Sequence, residues 1–331
     1  MNRFLSLCCL MICLPPLVAD EIKPPVASEE AKIIQKLVAV EKYEPEVVPV
    51  YGWVQNGLKK TLTNLGVDTK DVKYWQMEVK KDPRPNRGGF FACAYDAKGH
   101  ILALSGNGPW LRNETLRTFK GLPELRSIHW DHNGFVGNHP EIDLYDGSGY
   151  DALSESKLQD IKIGMSFNDK GMEQVAKIKG LKHFTVFHSR ATEAGIRFFE
   201  KHPNLESFSV GEMATGRVTE AALSSIAQMP KVTRVGFWEA VVSYDNGLKH
   251  LKGMKGRLKE LDLSMSLVSS ADLERLKADH PDLKITTIPA AEIVKRHRWV
   301  AQNLARTAPA ELAAELKAAL EASPPPAPSK K

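Results

Sequence analysis

His129, Trp130, Asp131, His132, His139, Asp143, Asp146 and Asp151 fall within 23 residues, the densest set of metal-binding or proton-moving groups in the chain. Imidazole and carboxylate are both metal ligands, and both serve as general acids and bases. The spacing works against a metal. His129-x-x-His132 is not a helical ligand pair, and in a strand the two rings would point to opposite faces. Asp143-x-x-Asp146-Gly147-x-Gly149-x-Asp151 lacks the glutamate and the spacing of a calcium loop. The same residues read well as an extended polar loop with glycine turns held by Asp and Asn side-chain bonds. A hydrolase or metal-dependent activity centred on 129–151 therefore stands as the alternative, and no cofactor is expected.

Elsewhere the chemistry is sparse. There is no G-x-S-x-G, H-E-x-x-H or G-x-x-x-x-G-K-[ST]. Gly106-x-Gly108 runs into Pro109 and is not a dinucleotide fingerprint. Three of the four cysteines, Cys8, Cys9 and Cys13, lie in an N-terminal apolar stretch. The fourth, Cys93, sits in Phe90-Phe91-Ala92-Cys93-Ala94-Tyr95 and reads as a buried inert thiol. His202-Pro203 and His280-Pro281 recur at one repeat position and read as turn packing. Lys295-Arg296-His297-Arg298 reads as a solvated helix face.

The elements that must hold these groups repeat. Leu125-x-x-Ile128-x-Trp130 has counterparts at Leu158/Ile161/Ile163, Leu181/Phe184/Val186, Leu205/Phe208/Val210, Val232/Val235/Phe237, Leu258/Leu261/Leu263 and Leu283/Thr286/Ile288, with a degenerate earlier copy at Gly99/Leu102/Leu104. Starts are 23 to 33 residues apart. About fifteen residues into each unit comes a polar run ending in an apolar residue, such as Asn168-Asp169-Lys170-Gly171-Met172, Thr192-Glu193-Ala194-Gly195-Ile196, Thr219-Glu220-Ala221-Ala222-Leu223, Tyr244-Asp245-Asn246-Gly247-Leu248 and Ser269-Ser270-Ala271-Asp272-Leu273. Ser, Thr and Asn suit a helix N-cap, and the acids suit the positive end of the helix dipole. Pro123, Pro203, Pro230 and Pro281 stop the helix two residues before the next strand. The unit is strand, loop, short helix, turn, and it buries its apolar faces only by stacking on its neighbours. An ordinary α/β domain would vary its crossovers more than this.

The fold class predicted is α/β: a leucine-rich repeat solenoid of about seven to eight strand–helix repeats over 99–289, with a parallel sheet on the concave face. An α+β N-terminal cap covers 20–98, with a helix starting at Ser28, a second from about Val54 to Leu65, and strands over Val72–Val79 and Gly89–Tyr95. A C-terminal helical cap covers 290–322, and 323–331 is a Pro/Lys tail. Arg3, the run Phe4–Ile12 and Leu17-Val18-Ala19 predict a cleaved signal peptide over 1–19. The mature chain then has no integral membrane segment and resides in the periplasm, the cell envelope or the medium. Charged residues make up 26% and the net charge is +5, but the charges are interspersed, so no nucleic-acid stripe is present and no nucleic-acid partner is expected.

The repeats resemble those of exported bacterial leucine-rich repeat proteins, whose helix start "T-D-x-G-L-x-x-L" precedes "L-P-x-L-x-x-L-x-L". Asn168-Asp169-Lys170-Gly171-Met172-Glu173-Gln174-Val175 resembles the first. Gly121-Leu122-Pro123-Glu124-Leu125-Arg126-Ser127-Ile128 resembles the second. Tyr95-Asp96-Ala97-Lys98-Gly99-His100-Ile101-Leu102-Ala103-Leu104 resembles their "D-x-x-G-R-V-x-x-L-x-L" entry. His100 departs from the usual Arg, and the repeat from Leu125 to Leu158 is oversized. The resemblance implies a binding scaffold and carries over no catalytic residue.

On such a scaffold, alternate strand residues point away from the core. One column is Ala103, His129, Lys162, Thr185, Ser209, Gly236, Asp262 and Thr287. The next is Ser105, Asp131, Gly164, Phe187, Gly211, Trp238 and Ser264. Strand spacing would set Phe187 and Trp238 roughly 10 Å apart across Gly211. The expected ligand-binding residues are Phe187, Trp238, His129, Asp131, Lys162 and Asp262, and the expected partner is a protein, a peptide or a glycan.

Overall fold

The computed structural model describes residues 24–38, 45–79, 89–107, 111–130, 145–212 and 215–323. The 1–19 leader, most of the tail, and Asp131, His132, His139 and Asp143 lie outside the described residues. Eleven strands form one sheet. Strands β1 (Pro45–Val48), β2 (Lys73–Val79), β3 (Phe90–Tyr95) and β4 (Ile101–Gly106) pair antiparallel in chain order. From β4 onward every pairing is parallel, through β5 (Ser127–Trp130), β6 (Asp160–Met165), β7 (His183–Ser189), β8 (Ser207–Gly211), β9 (Arg234–Trp238), β11 (Glu260–Asp262) and β13 (Lys284–Thr286). Two short strands, β10 (Val241–Val242) and β12 (Leu267–Val268), pair parallel beyond the carboxyl ends of β9 and β11. The chain is an α/β leucine-rich repeat solenoid.

The repeated apolar positions stack because the register is constant. Ile128, Ile161, Phe184, Phe208, Val235, Leu261 and Ile285 align across successive strands. Phe167, Phe184, Phe199 and Phe208 continue this as an aromatic spine, with Phe184 stacked on Phe199 at 5.0 Å. Two expected alignments shift. In the first copy Leu104, not Leu102, aligns with Ile128, so Ser105 rather than Ala103 stands beside His129. The strand enters from an antiparallel hairpin with a bulge at Ala94/Tyr95, which moves the phase. In the last copy Ile285, not Thr286, aligns with Leu261, and Thr286 rather than Thr287 stands beside Asp262. The turn before β13 is one residue shorter than in the other units.

Helices α3 (Asn113–Thr118), α4 (Asp169–Val175), α5 (Glu193–Arg197), α6 (Leu223–Ala227) and α7 (Ser270–Asp279) return the chain along the opposite side. The predicted caps form: Asn168, Thr192, Thr219 and Ser269 accept from the backbone N–H groups of Lys170, Ala194, Ala221 and Asp272. The Tyr244–Leu248 run instead opens a 3-10 helix over Leu248–Met254. Beside three of these caps the first-turn acid reaches the next repeat, whereas Asp272 bonds its own cap, Ser269. Asp169 accepts from both the N–H and the hydroxyl of Thr192, each at 2.7 Å. Glu193 does the same for Thr219, and Glu220 for Ser243. At the helix-to-strand turns, His202 Nε2 meets the Ile178 carbonyl of the preceding repeat at 3.0 Å. Arg257 clamps the carbonyls of Ala227, Met229 and Pro230.

Helices flank the solenoid at both ends. Helix α1 (Ser28–Val38) packs Ile34 and Leu37 into the main core, and its buried Glu30 accepts from the Ile101 N–H and pairs with His100 at 2.8 Å. Helix α2 (Gly52–Asn64) lies on the other face of the sheet, where Val54, Leu58 and Leu62 cover Phe90, Ala92, Ala94, Leu102 and Ala103. At the far end α8 (Ala290–Arg296), α9 (Arg298–Thr307) and α10 (Ala310–Ala322) form a separate apolar cluster with Leu267, Val241, Met265 and Ile288. Removing an acid from the cap ladder unpairs two donors in the next repeat, whereas an exposed ion pair is nearly neutral. Asp169→Ala is expected to lower unfolding free energy by about 1–3 kcal/mol, and Glu173→Ala, which breaks only the exposed pair with Lys177, by less than about 0.5 kcal/mol. Urea denaturation measures both, and equal losses would show that the ladder contributes nothing.

Candidate functional site

The concave face carries three columns of side chains, fixed by the same register that stacks the core. Along the amino ends of the strands run Ser127, Asp160, His183, Ser207, Arg234, Glu260 and Lys284. In the centre run Ser105, His129, Lys162, Thr185, Ser209, Gly236, Asp262 and Thr286. Toward the carboxyl ends run Gly164, Phe187, Gly211 and Trp238. Helix α2 stands over β3 and β4 and walls off one side of this surface, antiparallel to the strands. Its first turns line a cleft of about 260 Å³ with Phe90, Ser105, Asn107, His129 and Lys162. Its last turn lines a wider cleft of about 510 Å³ with His129, Asp160, His183, Glu206, Arg234 and Glu260. His129 borders both.

The structure brings His129, Lys162 and Phe187 together. Lys162 is exposed, and its ammonium lies 5.1 Å from the centre of the Phe187 ring. Phe187 leans over Gly164, where an added Cβ would meet the Phe187 carbonyl at 2.5 Å. Trp238 leans over Gly236, where a Cβ would meet its Cζ2 at 2.8 Å. Gly211 lies between the two aromatics, as the spacing predicts, but both rings are half-buried and rest on the sheet rather than rising as two posts. The Trp238 Nε1–H is buried without an acceptor among the described residues. Asp262 sits apart, accepting from the Ser264 N–H at 2.9 Å in a local turn. Asp131 lies outside the described residues.

Electrostatics divides the amino-end column. Asp160 accepts from His129 Nε2 and, at 3.0 Å, from the Ser127 hydroxyl. Burial pushes its carboxyl up, but the His129 charge and hydrogen bond, with Ser127, outweigh burial and hold it below the ordinary 3.8. The order is serine, aspartate, histidine, so the Ser127 hydroxyl meets a carboxylate instead of an imidazole able to take its proton. The Arg234 Nη2 donates to His183 Nδ1 at 3.2 Å. A guanidinium only donates, so Nδ1 carries the lone pair and the ring is neutral. Burial lowers the His183 pKa below 6.5, against the pull of Asp160. Among the described residues neither Lys162 nor Arg234 pairs with a carboxylate, and Glu206 has no cation. Glu260 is paired with Lys284 at 3.4 Å. At the carboxyl edge His188 and Glu239, both at positive φ (47° and 65°), join at 2.8 Å across β8, and His297 meets His188 edge-on at 5.8 Å.

Sequence reasoning missed Trp53, which is 64% exposed on the first turn of α2 and packs edge-on against Phe90 at 5.2 Å. The signal was present. Val54, Leu58 and Leu62 form the helix's apolar stripe, and Trp53 falls off it. Asp160, His183 and Arg234 were also missed, although they stand two places after each repeat's first apolar residue. Among the described residues no group of three or more His, Cys, Asp or Glu is arranged to hold a metal, and no helix is long and apolar enough to cross a membrane.

No protein-family model matches the chain, and no curated protein matches it. Among solved structures, an internalin from Listeria monocytogenes is similar, with a TM-score of 0.34 and 14% identity over 52% of this chain and 50% of that one. The match therefore spans half of that chain's length. The leucine-rich repeat fold stands on the strand register and cap ladder of this chain.

Acid sensitivity follows from the shifted groups. His183 and His202 are pushed below 6.5 by burial, and Asp160 lies below 3.8. In each case the unfolded chain binds the proton first, so the group's stabilisation is complete above its unfolded pKa and is lost as pH falls through the folded one. His100, raised by Glu30, has the opposite sign and loses its contribution as pH rises. The denaturation midpoint is expected to fall below pH 6.5 and again below 3.8. Asp160→Asn should be less stable at neutral pH and flatter in the lower window; an unchanged slope there would refute the role given to the His129–Asp160 pair.

Proposed function

We propose that this protein is a non-enzymatic scaffold, exported from the cytoplasm, whose concave strand face binds a partner protein, peptide or glycan. One observation carries the reading. The opposite face is consumed by helices and caps, whereas Lys162, Thr185 and Arg234 stand on the sheet with polar groups that the fold does not exhaust, beside the half-buried rings of Phe187 and Trp238. Ordered columns on parallel strands present side chains at fixed spacing, which suits recognition. Export rests on the leader-like sequence at 1–19. A carboxylate in place of an imidazole beside the Ser127 hydroxyl supports binding over acyl transfer at this face.

A photo-crosslinking residue placed at Thr185 or Asp262, on the strand face, is expected to capture a partner in the cells of origin, in the envelope or the medium. The same residue at Phe198, exposed at the C-terminal end of α5 on the opposite side, should capture none. Equal capture from both faces would remove the concave site, and capture confined to cytoplasmic proteins would remove the export reading.

A further inference from the structure

The flank of α2 carries a more specific reading than the open face. The two clefts meet at His129 and follow one side of the helix from Trp53 to Leu65. Twelve helical residues span about 18 Å, the length of five or six residues of extended chain. The two ends of this trough differ in chemistry. The Trp53 end has one apolar side, Trp53, Val54, Leu58 and Phe90, and one polar side, Ser105, Asn107, His129 and Lys162. A cleft of about 260 Å³ takes one large side chain. At the other end Arg234 has donors left after its bond to His183, with the unpaired Glu206 carboxylate just before the adjacent strand β8.

We propose that this trough takes an extended segment of a partner protein, with one large apolar side chain held against Trp53 and acidic residues at both ends. Building on the concave-face reading, this deepens it by naming the occupant. Charge complementarity decides the class. The trough's two exposed cations, Lys162 and Arg234, have no carboxylate partner among the described residues. Two of its acids are already committed, Asp160 to His129 and Ser127, and Glu260 to Lys284. One incoming carboxylate meets Lys162 beside the apolar cleft, and a second meets Arg234. Glu206 accepts a backbone N–H of the segment. A sugar chain fits the Trp53 end less well, because half of that lining offers no hydrogen bond to hydroxyl groups. Exposed tryptophan and arginine are the residue types that most often anchor protein interfaces.

The test uses the full chain and fluorescence anisotropy. The probes are capped octapeptides carrying tryptophan or leucine beside a glutamate, with a second glutamate five residues on. Controls are the same peptides with glutamine for glutamate, and an oligohexuronate as an acidic glycan. The glutamate peptides are expected to bind at least about tenfold more tightly than the glutamine versions and to weaken with salt. Trp53→Ala and Lys162→Gln should each weaken binding about tenfold, and Arg234→Gln about threefold. All three side chains are exposed, and circular dichroism confirms that the variants fold. Equal binding of the glutamine peptides, no peptide binding at about 1 mM, wild-type affinity in Trp53→Ala, or oligohexuronate binding in place of peptide each overturns the proposal. Failure here together with crosslinking from Thr185 leaves the concave-face reading standing; failure of both removes the site altogether.

Discussion

A single repeat of this protein has no inside. Its apolar strand face and short helix become a core only when the next repeat covers them, so the structure depends on what holds neighbours in phase. Two devices do this. The carbonyls of Arg126, Gln159, Lys182, Glu206 and Thr233 each receive two successive N–H groups from the next strand. On the helix side the acids Asp169, Glu193 and Glu220 receive both donors of the next cap or turn residue. One acid thus serves its own helix dipole and the neighbour's orphan N–H together. From β6 to β9 a slip of one residue would break a cap and a core contact at the same time.

That lock explains the concave columns. Because parallel pairing is in constant register, residues at one repeat position stand side by side whatever their type, so a sequence can place charge, hydroxyl and aromatic groups freely on a surface already fixed by the core. The glycines at 164 and 236 let Phe187 and Trp238 lie flat on the sheet. The surface becomes smooth in that region, and the relief is supplied from outside the repeats.

Legibility in the sequence followed the range of the interactions. The caps at Asn168, Thr192, Thr219 and Ser269 and the apolar triplets act within one unit or between identical units, and both were readable. The phase at Leu104 and Ile285 was not, because it is set where the repeat meets something else: an antiparallel hairpin with a bulge at one end, and a shortened turn at the other. The stripe of Val54, Leu58 and Leu62 announces an amphipathic helix but not which face of the sheet receives it. Phe91 and Cys93 face the main core while Phe90, Ala92 and Ala94 lie beneath α2, so β3 is apolar on both faces. A strand without alternation is the signature of such double coverage, and Phe90-Phe91-Ala92-Cys93-Ala94-Tyr95 carries it.

Double coverage also gives α2 its consequence for function. A helix on the concave side of the first strands converts an open surface into a trough with one helical wall and one floor of strands. Among the described residues it packs on β3 and β4 and leaves the strands from β5 onward uncovered by it, so it acts as a border and not as a lid. The side it turns to that free surface is mixed, with Trp53 at one end and Thr61 and Asn64 at the other. Trp53 rests on Phe90 and Tyr51 yet stays 64% exposed, and exposure of so large an apolar surface is unfavourable in the folded state. Its neighbour across the cleft is an ammonium held by a phenylalanine ring. An exposed indole facing a fixed cation has the arrangement of a half-built contact, with the missing half supplied by a group that is apolar on one side and anionic on the other.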